Sequence, residues 1–127
     1  MEARTARVMV KLAPGKAPDE VVFTDAEREA VTTAAMEAGY PHVSTFIREV
    51  CVDAALSTVR RGPDDSDWAH LKAAADSCGM PLGRWMREVV LAGIGASSGD
   101  LQEHKDAAAE FVAGALRRAS RASRARG

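Results

Sequence analysis

Residues 39–50 read GYPHVSTFIREV, and residues 79–89 read GMPLGRWMREV. The second stretch repeats the pattern of the first with one residue fewer in the spacer. Each has Gly, then Pro two residues on, a short polar step, and then an aromatic, an aliphatic, Arg, Glu and Val. Phe46-Ile47-Arg48-Glu49-Val50 matches Trp85-Met86-Arg87-Glu88-Val89. Before each glycine a helical pattern runs out, through Met36-Glu37-Ala38 before Gly39 and Asp76-Ser77-Cys78 before Gly79. An internal repeat constrains a fold more than any single residue does. The repeated unit here is helix, glycine stop, short turn, helix.

Working outward from the repeat, Thr24 and Glu27 have the spacing of a capping box and predict a helix that ends at Gly39. Its apolar stripe is Ala30, Val31, Ala34, Ala35 and Ala38. Ser44 is the expected N-cap of the next helix, with Ile47, Val50, Cys51, Ala54 and Ala55 inward. Arg60-Arg61-Gly62-Pro63 ends that helix, and residues 62–67 read as a linker. A third helix is expected over 66–78, with Trp68, Leu71, Ala74 and Ala75 inward. A fourth is expected over 82–95, with Trp85, Met86, Val89, Val90 and Ile94 inward. Ala96-Ser97-Ser98-Gly99 is a break. Asp100 and Glu103 repeat the capping-box spacing before a fifth helix over 101–119, with Leu101, Ala108, Phe111, Val112, Ala115 and Leu116 as its apolar set. The Arg/Ser/Ala tail beyond it is expected to be disordered on its own.

Toward the N-terminus, Arg7-Val8-Met9-Val10-Lys11-Leu12 alternates strictly. Val8, Val10 and Leu12 fall on one face and Arg7, Met9 and Lys11 on the other, the pattern of a half-buried strand with a basic outer face. Ala13 to Pro18 breaks it, and Val21-Val22-Phe23 is a second β-prone run.

A chain of 127 residues fits one compact domain, and 46% hydrophobic content is enough for a core. Only 5% is aromatic, so Ala, Val and Leu must fill it. No run approaches the ~20 apolar residues needed to span a bilayer, and the start of the chain lacks the apolar region of a signal peptide. The expected location is the cytoplasm, with Cys51 and Cys78 as reduced core thiols. Net charge is −1, but it is unevenly spread. Residues 117–127 carry +5 from arginines alone, residues 1–16 carry +3, and the stretch between carries −9. Basic ends flanking an acidic middle are what a polyanion would attract, although terminal charge also serves solubility.

Catalysis is not expected. His42, His70 and His104 are scattered without metal-ligand spacing, and neither a Gly-rich phosphate loop nor a nucleophile elbow is present. No cofactor is implied. Trp68 and Trp85 read as core or interface anchors rather than a base-stacking platform.

The strand followed by a repeated helix, Gly-x-Pro turn and aromatic-aliphatic-Arg-Glu block resembles the ribbon-helix-helix family of DNA-binding proteins. Within it, the order is similar to MobC-type plasmid mobilisation accessory proteins, and the doubled unit to the tandem TraY type. The resemblance covers roughly residues 20–96. It implies a mainly α protein in which a short N-terminal β-ribbon is followed by two tandem helix-turn-helix pairs and a C-terminal helix. The expected divisions are 1–61 for the first unit, 62–99 for a second, strand-poor unit, and 100–127 for the last helix and basic tail. It further implies binding of double-stranded DNA by a homodimer, a ribbon in the major groove, and second-helix N-termini at backbone phosphates. The implied role is that of a relaxosome accessory protein assisting a relaxase at a plasmid transfer origin. The alternatives are a repressor or antitoxin of the same family, and, in another class, a helical protein–protein adaptor that does not bind DNA.

The sequence departs from the family pattern in two places. Residues 61–66, where the second unit should carry a strand, contain Pro63 and acids instead. The first unit has two strand candidates, and Asp19 and Glu20 beside the second suit DNA badly. Two arrangements are open. Two chains pair through Arg7–Leu12, or that strand folds back onto Val21–Thr24 within one chain, with the helix pairs as a pseudo-dimer around the hairpin. The first is preferred, since it gathers several copies of Arg7 and Lys11 in one groove.

The residues expected to meet DNA follow from this. Arg7 and Lys11 would reach guanine edges or phosphates, and Met9 a thymine methyl; an amphipathic strand wetted on its basic side is the simpler reading. Arg4 and Lys16 extend the same basic end. Ser44, Thr45, Gly83 and Arg84, at the starts of the second helices, would grip phosphates, although Ser44 also reads as a plain cap and Arg84 as a surface charge. Arg117, Arg118 and Arg121 would add nonspecific phosphate contacts or dock on an acidic partner. Arg48 and Arg87 are expected instead to pair with acids on a neighbouring helix and hold each two-helix unit together.

Overall fold

A computed structural model describes residues 4–95 and 100–126, with side chains in the last helix as far as Ala122. Two strands, β1 (Thr5–Val10) and β2 (Asp19–Thr24), precede α1 (Asp25–Glu37), α2 (Val43–Thr58), α3 (Asp67–Ser77), α4 (Leu82–Gly95) and α5 (Leu101–Arg126). The protein is mainly helical, with one short antiparallel two-stranded sheet at its N-terminal end. The predicted break at Ala96–Gly99 lies outside the described residues.

The sheet is a hairpin within the chain. β1 pairs with β2 in a register that sets Val8 opposite Val21, Arg7 opposite Val22 and Met9 opposite Glu20. The preferred arrangement, two chains joined through β1, is therefore not the one adopted, and the ground it gave for a dimer falls away. The eight residues between the strands turn on Gly15, whose φ of 75° suits glycine alone. Closing so short a loop costs less than bringing two chains together. The sidedness is as expected, but the strand runs from Thr5 to Val10 rather than from Arg7 to Leu12, so Lys11 and Leu12 lie just past its paired residues. Val8, Val10, Leu12, Val21 and Phe23 are buried against the helices, and Arg7, Met9 and Lys11 face outward.

The repeat folds twice in the same way. Gly39 and Gly79 have φ of 87° and 72°. The Tyr40 amide donates to the Ala35 carbonyl at 2.9 Å and the Met80 amide to the Ala75 carbonyl at 3.0 Å, a Schellman closure in both copies. The extra residue of the first copy is absorbed in the turn. α2 starts at Val43 and α4 at Leu82, each three residues before its aromatic. Phe46 and Trp85 are both fully buried. This corrects the expected cap: the N-cap of α2 is His42, without a side-chain bond, and Ser44 lies inside the first turn.

The cap of α1 follows its sequence signal in full, and that of α5 in part, without the bond to Glu103. The Thr24 hydroxyl accepts from the Glu27 amide at 3.1 Å, and Glu27 Oε1 accepts from the Thr24 amide at 2.8 Å. Asp100 accepts from the Gln102 amide at 2.8 Å ahead of α5. A single core draws on β1, β2, α1, α2, α3, α4 and α5. Ala30, expected inward, is exposed, and Ile94 and Trp68 are only half-buried. His70, by contrast, is fully buried, its Nε2 2.8 Å from the Val59 carbonyl. Cys51 and Cys78 are free thiols.

α5 lies across α2 and α4. It crosses α4 at Gly93, where an added Cβ would stand 2.7 Å from the His104 carbonyl oxygen. The His104 ring meets Phe46 edge-on at 6.0 Å, and its Nδ1 lies 3.2 Å from the Gly93 carbonyl. The helix does not stop near residue 119. It continues to Arg126, so the expected disordered tail is helical. Ala and Arg are both strong helix formers, and the charge pattern alone does not reveal this. No helix among the described residues is long and apolar enough to cross a membrane.

Candidate nucleic-acid interface

The outward face of the hairpin carries Thr5, Arg7 and Met9 from β1 and Glu20 and Val22 from β2. Met9 is 50% exposed and Val22 40%. Arg7 Nε lies 3.2 Å from Glu20 Oε1 across the strands. Both side chains are well exposed, so the pair is screened, weakly held and easily rearranged. The acid that seemed out of place beside DNA is thus matched by a base on the same face.

Two recesses flank the hairpin. One, of about 260 Å³, is lined by Glu20, Val22, Gly83, Arg84 and Arg87. The other, of about 270 Å³, is lined by Lys11, Leu12, Ala13, Pro14 and Arg48. Arg48 and Arg87 hold the same place in the repeat, so each recess carries one copy of the repeated arginine. α4 packs on β2 and α2 on β1. The first turn of α4 presses directly on the hairpin, since a Cβ on Gly83 would stand 2.5 Å from the Glu20 carbonyl oxygen. Ser44 precedes Arg48 by one helical turn on the same face of α2.

The helix starts differ in a way that matters for anions. α1, α3 and α5 carry acids in their first turns: Asp25 and Glu27, Asp67, and Glu103. α2 and α4 carry none, and α2 has no side-chain cap. Carboxylates normally compensate the positive end of a helix. The two helices whose copies of the repeated arginine stand beside the hairpin have no acid of their own in the first turn to compensate that end, although Glu20 of β2 lines the recess at the start of α4.

The repeated arginines also tie the two units together. Arg87 Nη2 binds Glu27 Oε2 at 2.6 Å, and Arg48 Nη2 binds Asp67 Oδ2 at 2.5 Å. Glu27 and Asp67 each stand twelve residues before the glycine of their own unit. Each arginine therefore reaches the matching acid of the opposite copy of the repeat, a reciprocal exchange. Pairing with acids on a neighbouring helix was expected; the correction is that it links the units rather than bracing each one. The Glu27 carboxyl is held below its ordinary range, first by the Thr24 amide and then by the Arg87 charge. Asp67 is likewise lowered, first by its bond from Arg48 and then by Arg61, whose Nη1 lies 3.0 Å away.

Other expected contacts are dispersed. Thr45, Arg84 and Arg4 are exposed, and Ser44 is half-buried. The Lys16 ammonium sits 3.9 Å over the Trp68 ring, occupied as a cation–π partner in the hairpin loop. Arg117, Arg118 and Arg121 are exposed on α5. Arg118 lies close enough to Cys78 for its charge to act on that thiol, which burial raises. The basic end of α5 thus begins near the turn leading into α4. Sequence reasoning missed Glu20 as the partner of Arg7, Val22 on the outward face, and Arg87 and Arg48 as walls of the two recesses. The period-two spacing of Glu20 and Val22 was a usable signal for the first.

Comparison with family models, with curated proteins and with solved structures finds no match for this chain.

Proposed function

We propose that this protein binds duplex DNA in a sequence-specific manner, without catalysis, as a single-chain counterpart of a ribbon-helix-helix dimer. In this reading β2, α1 and α2 form one unit, α3 and α4 the other, and β1 supplies the strand that the second unit lacks. The observation that carries it is the hairpin flanked by two recesses, each with one of the repeated arginines in its wall. The hairpin would enter the major groove, which admits a two-stranded ribbon. Lys11, Arg84 and the starts of α2 and α4 would hold phosphates on either side. The basic stretch of α5 would add contacts to the flanking duplex, at Arg117, Arg118 and Arg121.

The setting implied by the resemblance is a relaxosome, where the protein would bend or locally open DNA at a transfer origin and give a relaxase access. A repressor or antitoxin would use the same binding physics. One observation favours a protein-docking role beside it or in its place. A groove of about 760 Å³ between α1 and α4 is lined by Ala30, Ala34, Leu91 and Ile94. A gel shift with competitor DNA at two salt concentrations tests the proposal. Retention of one duplex against excess competitor at the higher salt is expected. Uniform loss on every sequence would leave charge alone, and no shift at all would leave the docking role.

A further inference from the structure

Glu20 is an odd residue to place on a face meant for a polyanion, yet it stands in the middle of the hairpin's outward side, opposite Met9. Resting on the DNA-binding reading above, we propose that Arg7 and Glu20 act as one unit that reads a single base pair, with G·C preferred. Glu20 is then the specificity-determining residue rather than a tolerated acid.

The argument is one of spacing and sign. In the major groove guanine presents O6 and N7 as acceptors and cytosine presents its N4 amino group as donor. O6 and N4 are hydrogen-bonded to each other across the pair, about 2.9 Å apart. Arg7 Nε and Glu20 Oε1 are 3.2 Å apart. The guanidinium set over O6 and the carboxylate set over N4 match the pair in distance and in charge. The guanidinium also has donors to spare for N7, because Nε is only one of its five N–H groups.

The other base pairs rank themselves. T·A offers the same order, an acceptor at O4 and a donor at N6, but has no N7 beside O4 for a second bond. C·G and A·T reverse the order and set the carboxylate against O6 or O4, an anion facing an acceptor. A carboxylate buried against an oxygen without a donor is costly, so Glu20 discriminates mainly by rejection. It also lowers affinity for DNA in general, since its charge opposes that of the phosphates and only two of the four base pairs offer it a donor.

The test is selection from a randomised duplex library with the full chain and its Glu20→Ala and Glu20→Gln variants, followed by titration of four duplexes that differ at one pair. The wild type is expected to prefer G·C there, with T·A second and C·G and A·T about tenfold or more behind. Glu20→Ala should reduce that spread to about threefold or less and tighten binding to unrelated duplex. Glu20→Gln, whose amide both donates and accepts, should also lose the rejection of C·G. Thermal melts should place all three proteins together, because Glu20 is exposed. An unchanged preference at every position in both variants would overturn the assignment while leaving DNA binding intact. A wild-type selection without any consensus would overturn the proposed function, and this reading with it.

Discussion

Arg87 on α4 binds Glu27 on α1 at 2.6 Å, sixty residues back along the chain. Glu27 is at the same time the third residue of α1 and closes that helix's capping box. One carboxylate therefore caps a helix and joins the two halves of the repeat; Arg48 with Asp67 makes the matching join on the other side, where Ser66 does the capping. Arg87→Ala should destabilise the fold by about 1–2 kcal/mol, since it strands a half-buried carboxylate. Arg48→Ala should cost less, because Arg48 is more exposed. Urea unfolding of the single variants, and of Arg87→Ala combined with Glu27→Ala, checks both. A coupling near zero in that cycle would remove the cross-brace.

The same pairs set a pH dependence. Glu27 and Asp67 both titrate below their ordinary values of 4.5 and 3.8 in the folded protein. A carboxyl lowered by folding binds fewer protons in the native state than in the unfolded one. Its contribution is complete above the ordinary value and lost as pH falls through the folded one. Stability should therefore be level with respect to these groups above about pH 5 and fall below it. Arg87→Ala should reduce but not abolish the part of that fall due to Glu27, because the Thr24 amide still holds the carboxylate, read from melting curves between pH 3 and pH 7 as Tm against pH.

Close backbone approach at α4 gives a sharper contrast. Gly93→Ala drives a Cβ to 2.7 Å from the His104 carbonyl and must push α5 off α4. The expected cost is about 1–3 kcal/mol. Gly95→Ala, where nothing lies within 4 Å, should be neutral or stabilising by up to about 1 kcal/mol. Equal effects of the two in thermal melts would contradict the helix crossing described here.

How much of this was legible in the sequence depends on what each signal specifies. Val8, Val10 and Leu12 against Arg7, Met9 and Lys11 fixed the faces of β1, because period-two alternation encodes sidedness directly. It does not encode the strand's partner, and the hairpin emerged only once Gly15 and a short loop made local closure the cheaper option. Gly39 and Gly79 marked both helix ends correctly, since few other residues take a positive φ there. The pairing of Arg48 and Arg87 with acids was readable from charge. Which acids was not, because the exchange between units depends on the relative placement of two helix pairs. The Arg-rich end was misread, with charge weighed above the helix propensity of Ala and Arg. The recesses beside the hairpin have no linear signature, as each draws on two distant segments.

If the basic stretch of α5 contacts duplex DNA beside the hairpin, its removal should act on affinity and not on sequence choice. Changing Arg117, Arg118 and Arg121 together to Ala should lower the slope of log K against log salt by up to about 2.7, at about 0.9 for each phosphate released. Fluorescence anisotropy from 50 to 200 mM salt measures it. Melting temperature should hold, because these side chains are exposed.

The most direct trial of the account is the ratio of affinities for a selected duplex and its scrambled counterpart, measured by competition for the wild type and for the Arg7→Ala, Lys11→Ala double variant. A hairpin that reads bases predicts a wild-type ratio of about a hundredfold or more, collapsing toward unity in the variant. A ratio that survives the double substitution intact would contradict the account, because the outward side of the hairpin's first arm would then play no part in choosing the DNA.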